Sequence, residues 1–310
     1  MALYLHNNIS SLNAQHAMAS ATSKLDVVYQ RLSTGLRINS AKDDPAGIQT
    51  SNKLTTQIDS LSMTNRIAQN AISYAQTAEG ALEEISSMLE RIRVLAIESA
   101  NGTNTSQDRT ALQKEVDQLT EEINRIARDT TFGGEALLSG TASVARFQIS
   151  PSPNSVIKID LSIGFDIDGL ARMAQSISGN FVVEKNEYVA QTTSFTYASV
   201  FSYKVNGKGI DISSQSAAQL CLAGLDGMLN AVDSKRAQLG AIQNRLESTI
   251  RNQENISENV SNSRSVIRDT DWAEASSELA AQNIIQQGAA SILTQANSRP
   301  EIALAMLQES

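Results

Sequence analysis

Cysteine occurs once in this chain, at Cys221, so no disulfide can close within it. A lone thiol also lacks the companions that fill a zinc shell. Histidine occurs twice, at His6 and His16, both near the start of the chain. Neither a Ser/His/Asp arrangement nor a His-based metal centre can be built from them, and no cofactor or metal is expected. Aromatic residues make up only 4% of the chain, with a single Trp. The core must therefore come from Leu, Ile, Val and Ala, a mix that suits helix-on-helix packing better than a sandwich. No run of about eighteen apolar residues exists, so no membrane-spanning helix is expected. Basic excess is missing too. A net charge of -8 sets the surface against phosphate and excludes nucleic acid as a partner. The opening Met1-Ala-Leu-Tyr-Leu-His-Asn-Asn8 has neither a basic nor a continuous apolar region, so it does not read as a cleavable signal peptide.

Proline is scarce as well. The four stand at 45, 151, 153 and 300, which leaves 46–150 and 154–299 free of residues that must break a helix. The apolar pattern then decides. Met18, Ala21, Leu25, Val28 and Leu32 step by three and four, a heptad seam. Ser33-Thr-Gly-Leu-Arg-Ile-Asn39 interrupts it. Asp44 can cap a new helix with Pro45 in its first turn, where no amide donor is needed. Leu54, Ile58, Leu61, Ala68, Ile72, Ala75, Leu82, Leu89 and Ile92 then hold one phase. A helix over 46–99 would be roughly 80 Å long, a length that suits a rod. Asn101-Gly-Thr-Asn-Thr-Ser-Gln-Asp108 is turn chemistry with a ready cap. Leu112, Val116, Leu119, Ile123 and Ile126 line the next helix, which the Phe132-Gly133-Gly134 turn ends.

Residues 141–212 change character. Phe147, Ile149, Ile157, Ile159, Leu161 and Ile163 alternate around Pro151-Ser-Pro-Asn154, which predicts a hairpin. Phe195, Tyr197, Phe201, Tyr203 and Val205 read as further alternation. From about 215 the helical period returns through Leu225, Leu229, Val232, Leu239, Ile242, Leu246, Ile256, Val260 and Ile267. A final amphipathic stretch, Trp272 to Ala296, is expected to stop at Pro300, with Ile302 to Leu307 as a short apolar tail. The fold class read from this order is mainly α, with long antiparallel terminal helices forming a coiled-coil-like rod and a small β region mid-chain. Each end buries its stripe most simply against the other.

Several segments resemble those of one family. Asn39-Ser-Ala-Lys-Asp-Asp-Pro-Ala-Gly47 is similar to that family's N-terminal signature. Asn8-Ile-Ser-Ser-Leu-Asn-Ala-Gln15, Arg31-Leu-Ser-Thr-Gly-Leu-Arg-Ile-Asn39 and Ala71-Ile-Ser-Tyr-Ala-Gln-Thr-Ala-Glu-Gly80 resemble it too. So do Leu239-Gly-Ala-Ile-Gln-Asn-Arg-Leu246 and Gln286-Gln-Gly-Ala-Ala-Ser-Ile-Leu-Thr-Gln-Ala-Asn297. Together they span about 1–165 and 215–298, and the family they resemble is the bacterial flagellins.

The resemblance implies a structural subunit that polymerises into an extracellular flagellar filament and is exported unfolded, without signal cleavage. It implies a filament-core domain of 1–43 with 268–310, a rod domain of 44–170 with 215–267, and a short variable surface segment of 171–214. The polymerisation residues would be Leu5, Ile9, Leu12, Leu25, Val28, Leu32, Leu279, Ile285, Ile292, Leu293, Leu304 and Leu307. Partners would be further copies of the chain, an export chaperone, and the filament cap and junction proteins. A vertebrate Toll-like flagellin receptor would meet Arg91, Leu95 and Glu115. Here Val94 replaces an acidic residue of the family pattern and Glu90 replaces Gln. The tail also departs from the leucine-rich, basic ending common in the family.

Two other readings compete. A hook–filament junction protein has a similar length and comparable terminal helices, but the central and C-terminal motifs favour flagellin. An enzyme carried on a coiled-coil rod would need a catalytic outer segment, and 171–214 lacks His, Cys and any metal constellation. Asp166-Ile-Asp-Gly169 and Asp269-Thr-Asp271 are incomplete as calcium loops and read as turns or caps.

Overall fold

The structure is a computed structural model and describes residues 8–178, 181–183, 193–197, 201 and 209–308. Among them are six helices and three two-stranded antiparallel sheets. The helices are α1 (Ile9–Thr34), α2 (Pro45–Ser99), α3 (Ser106–Asp129), α4 (Ile167–Ser178), α5 (Gln215–Arg268) and α6 (Trp272–Gln308). The strands are β1 (Thr131–Phe132), β2 (Glu135–Ala136), β3 (Ala145–Gln148), β4 (Val156–Ile159), β5 (Phe181–Val183) and β6 (Thr193–Phe195). The chain divides into two compact units, 1–59 with 256–310, and 60–255.

In the first unit, α1 ends at Gly35, whose φ of 71° is a left-handed C-cap that a side chain would oppose. The connectors after α1 and before α6 meet. Leu36 bridges Asp269, the Arg37 amide donates to the Arg268 carbonyl at 2.7 Å, and the Thr270 amide donates to Gly35 at 2.9 Å. Asp43 Oδ2 gathers the amides of Asn39 and Ser40, bonds that hold its carboxyl below the usual carboxylate range. As expected, Asp44 Oδ1 caps α2 by accepting the Ala46 and Gly47 amides, with Pro45 in the first turn. A Cβ at Gly47 would collide with Asp44 and Ile38, so the tight turn requires glycine. Asp271 caps α6 through the Ala273 and Glu274 amides.

The second unit holds the main core. Leu82, Ile85, Leu89 and Ile92 of α2 are fully buried there with Val116 and Ile123 of α3 and Leu225, Val232 and Leu239 of α5. The expected seams thus face one another. Thr105 and Asp108 form a capping box at the start of α3. Buried Arg109 closes the preceding helix by donating to the carbonyls of Ser99, Asn101 and Asn104. Gly133 and Gly134, at φ 62° and 90°, turn β1 directly into β2. The β3–β4 hairpin forms where the alternation places it, pairing Phe147 with Ile157 around the proline turn. Tyr74 meets Phe132 and Phe147 edge-on, at 5.6 and 5.5 Å between ring centres, and so joins both hairpins to α2.

Three expectations are corrected. First, α4 stands where no helix was read. Asp166 caps it through Gly169, and Ile167, Leu170, Ala171 and Ala174 are buried at helical spacing. Second, Tyr197 and Phe201 do not extend a strand. The backbone is helical at both, and their rings stack 6.2 Å apart in the core. They fill the space left by Gly227 and Gly224 of α5, where a Cβ would strike Tyr197 and Phe201 respectively. Tyr203 and Val205 lie outside the described residues. Third, α6 does not stop at Pro300 but continues to Gln308.

Candidate functional site

The first unit carries the residues that the sequence marks for assembly. Helix α1 starts at a good N-cap, Asn8, whose Oδ1 accepts the Ser11 amide. It runs antiparallel to α6. Asn8 reaches Ala296, and Thr22 Oγ1 accepts from Gln286 Nε2 at 3.2 Å. The buried residues of α1 are Ser11, Ala14, Ala21, Leu25 and Val28, and those of α6, among its described side chains, are Ala275, Ala289 and Ala296. Alanine and serine dominate this seam, so the two backbones can approach closely with little side-chain volume between them.

That choice leaves the larger apolar residues on the outside. Ile9 is 60% exposed, Ile284 69% and Ile292 59%. Leu12, Val27 and Tyr29 of α1 and Trp272 and Ile285 of α6 are exposed as well. Ile9 and Leu12 lie three apart and Ile285 and Ile292 seven apart, so each pair shares a helix face.

The residues named for polymerisation therefore separate into two kinds. Leu25 and Val28 are buried within the chain, and Leu32, Leu279 and Leu293 are half-buried. Ile9, Leu12, Ile285 and Ile292 face outward. Leu5 lies outside the described residues, as do the side chains of Leu304 and Leu307. The sequence reading did not count Ile284, Tyr29 and Trp272 among the polymerisation residues. Ile284-Ile285 held a usable signal, because adjacent residues on a helix cannot both enter one seam.

The second patch comes apart. Arg91 donates from Nε and Nη2 to Glu115 Oε1 at 2.9 and 2.7 Å, an exposed pair joining α2 to α3. Leu95 is 1% exposed and belongs to the core, because the phase that buries Leu82, Leu89 and Ile92 also turns residue 95 inward. A protein docking on this surface meets the ion pair and not Leu95.

An open cleft of about 760 Å³ lies beside α3 and the start of α4, lined by Glu121, Glu122, Arg125, Asp166 and Asp168 among others. Arg125 is already held by Glu122 at 2.6 Å and Asp129 at 3.2 Å, which raises its pKa and lowers that of Glu122. Burial pushes the Cys221 thiol up, so it stays protonated and is a poor nucleophile. Among the described residues no three His, Cys, Asp or Glu side chains gather to hold a metal, and no helix is long and apolar enough to cross a membrane.

Comparison with known proteins gives this arrangement a family. Residues 5–143 match the bacterial flagellin N-terminal helical region, and residues 222–307 match the bacterial flagellin C-terminal helical region. Polar flagellin F of Vibrio parahaemolyticus is 35% identical over 376 aligned positions, covering 99% of this chain and 100% of the relative. Flagellin A of Vibrio cholerae is 36% identical over 379 positions with the same coverage. Since this chain has 310 residues, at least 66 of the 376 positions of the first alignment have no counterpart here. The crystal structure of Bacillus cereus flagellin aligns with a TM-score of 0.44 at 26% identity, covering 61% of this chain and 88% of that one. The chain belongs to the bacterial flagellins and is a structural subunit of the flagellar filament.

Proposed function

We propose that the outward face of the α1–α6 pair is covered by a different face of neighbouring copies, and that repetition of this contact builds the filament core. The observation that carries this reading is the exposure of Ile9, Leu12, Ile284, Ile285 and Ile292 on a helix pair whose inner seam is already filled, largely by alanine. Isolated soluble chains rarely leave so much large apolar surface open. Burying an Ile or Leu stabilises by roughly 1.5–3 kcal/mol, while ordering a residue costs about 1–2 kcal/mol of backbone entropy. A two-helix unit with one small-residue seam is marginal by that comparison. Neighbours supply the remainder, and a head-to-tail contact that never closes on itself yields a helical polymer.

On this reading residues 1–43 and 268–310 form the filament-core domain, 44–170 and 215–267 the rod domain, and 171–214 a short variable surface segment. Export would proceed with the chain unfolded, which suits a sequence without internal disulfides. An export chaperone and the cap and junction proteins are its expected partners, and the outside of the cell its destination. Deleting residues 1–40 should abolish filaments seen by negative-stain microscopy while circular dichroism still reports the long helices of the second unit. Filaments grown from the deleted chain would reject the proposal.

A further inference from the structure

Helix α6 runs through Pro300 without a break. Proline has no amide hydrogen, so the carbonyl of Ala296, four residues earlier, lacks the amide donor that the α-helical pattern would otherwise give it. Asn8 supplies one, with Nδ2 donating to that oxygen at 2.7 Å. The other end of the same side chain, Oδ1, accepts the Ser11 amide at 3.1 Å and caps α1. The two bonds fix the amide's orientation, because its oxygen must face the N–H and its nitrogen the carbonyl. One turn further on, Ser11 Oγ donates to Asn297 Oδ1 at 2.9 Å, and Ser11 itself is buried.

We infer that Asn8 is a positioning residue that keys the first turn of α1 to the carbonyl Pro300 leaves open, and so fixes the register of the two chain ends. Most of the seam specifies register poorly. Ala14, Ala21, Ala275, Ala289 and Ala296 are alike, and a slip along the pair exchanges one alanine for another. The open carbonyl differs from them, because a proline marks one oxygen of α6 and one asparagine fits it. A slip of one residue moves that oxygen by about 1.5 Å along the axis and about 100° around it, out of reach of Asn8. The correct register in turn sets which isoleucines face outward. Its importance for assembly therefore rests on the reading of the preceding section, while the bond itself does not.

The test is a four-chain comparison of wild type, Asn8→Ser, Pro300→Ala and the double variant, all full length. Serine keeps the N-cap but is too short to reach Ala296. The Pro300→Ala change returns an amide to the Ala296 carbonyl, so Asn8 is no longer needed there. Hydrogen exchange of the amides at 11–14 is read in the soluble chain, and again in filaments. Asn8→Ser should speed exchange about tenfold with Pro300 present, since an acceptor is left unpaired, and by less than about threefold in the Pro300→Ala background. Equal effects in the two backgrounds, or amides that exchange at open-chain rates in all four soluble chains, overturn the inference. A wild-type chain that fails to polymerise counts against the assembly reading and leaves the soluble comparison intact.

Discussion

Replacing Ile284 with Ala should leave a single chain almost untouched and make its polymer markedly weaker. The side chain is 69% exposed, so about two-thirds of its burial remains to be gained from a neighbour. A fully buried Ile contributes roughly 1.5–3 kcal/mol, which leaves about 1–2 kcal/mol per subunit for this position. At about 1.4 kcal/mol per tenfold, the critical concentration for filament growth should rise roughly five- to thirtyfold. Ile292→Ala, at a similarly exposed site, should do the same. The two changes should nearly multiply, because residues eight apart on a helix make largely separate contacts. The assay is seeded growth in a kosmotropic salt, pelleting the polymer and measuring the protein left in solution. Val28→Ala is the contrast. That residue is already buried within the chain, so its truncation should lower the stability of the helix pair itself. Unchanged critical concentrations for Ile284→Ala, Ile292→Ala and the double variant would refute the claim that this face is covered in the polymer.

Gln113 holds the segment before α5 as a strand would, donating to the Ile210 carbonyl at 2.7 Å and accepting the Ile212 amide at 2.6 Å. Gln113→Leu orphans both buried groups and should destabilise the chain by about 2–4 kcal/mol in urea denaturation, with no loss if the side chain only fills space. The caps make a separate prediction about acid. Bonds from Ser40 and Asn39 lower the Asp43 pKa below its ordinary 3.8, and the Thr105 hydroxyl and amide do the same for Asp108. A folded-state pKa below the unfolded one stabilises the fold above the unfolded value, and that contribution is lost as pH falls through the folded one. The stability deficit of Asp43→Asn or Asp108→Asn should therefore be full at pH 6 and shrink steadily below about pH 4 when thermal midpoints are followed. A deficit that grew on acidification would reverse the sign and reject the assignment.

Much of the helical frame could be read directly from residue spacing. The phase of Leu82, Leu89 and Ile92 requires one inward face, and Asp44-Pro45 and the Thr105–Asp108 box announce helix starts in chemistry that few other conformations use. The same phase carries Leu95 inward, where the family resemblance had placed it outside. Helix α4 escaped notice because it is only 12 residues long and opens on Asp166-Ile-Asp, which reads as a loop until its cap is seen. Tyr197 and Phe201 satisfy both periods, since four residues apart is two strand repeats and about one helical turn. What settles the matter is the pair of glycines in α5, far away in sequence. At the chain ends, stripe membership was visible but its partner was not. Leu25 and Ile292 look alike as letters, and only the closeness of an alanine seam shows which one is left to meet another molecule.

The partner of α1 is α6, and the bond from Asn8 to Ala296 spans 288 positions of chain. Such a contact cannot form while synthesis is under way, however strongly the two segments attract. Throughout that interval the first helix has no mate within its own molecule. Pairing is thereby deferred until nearly the whole polypeptide is present, and a product that stops early presents an unmatched stripe. Completeness of the subunit is thus tested by geometry at the moment its two extremities meet.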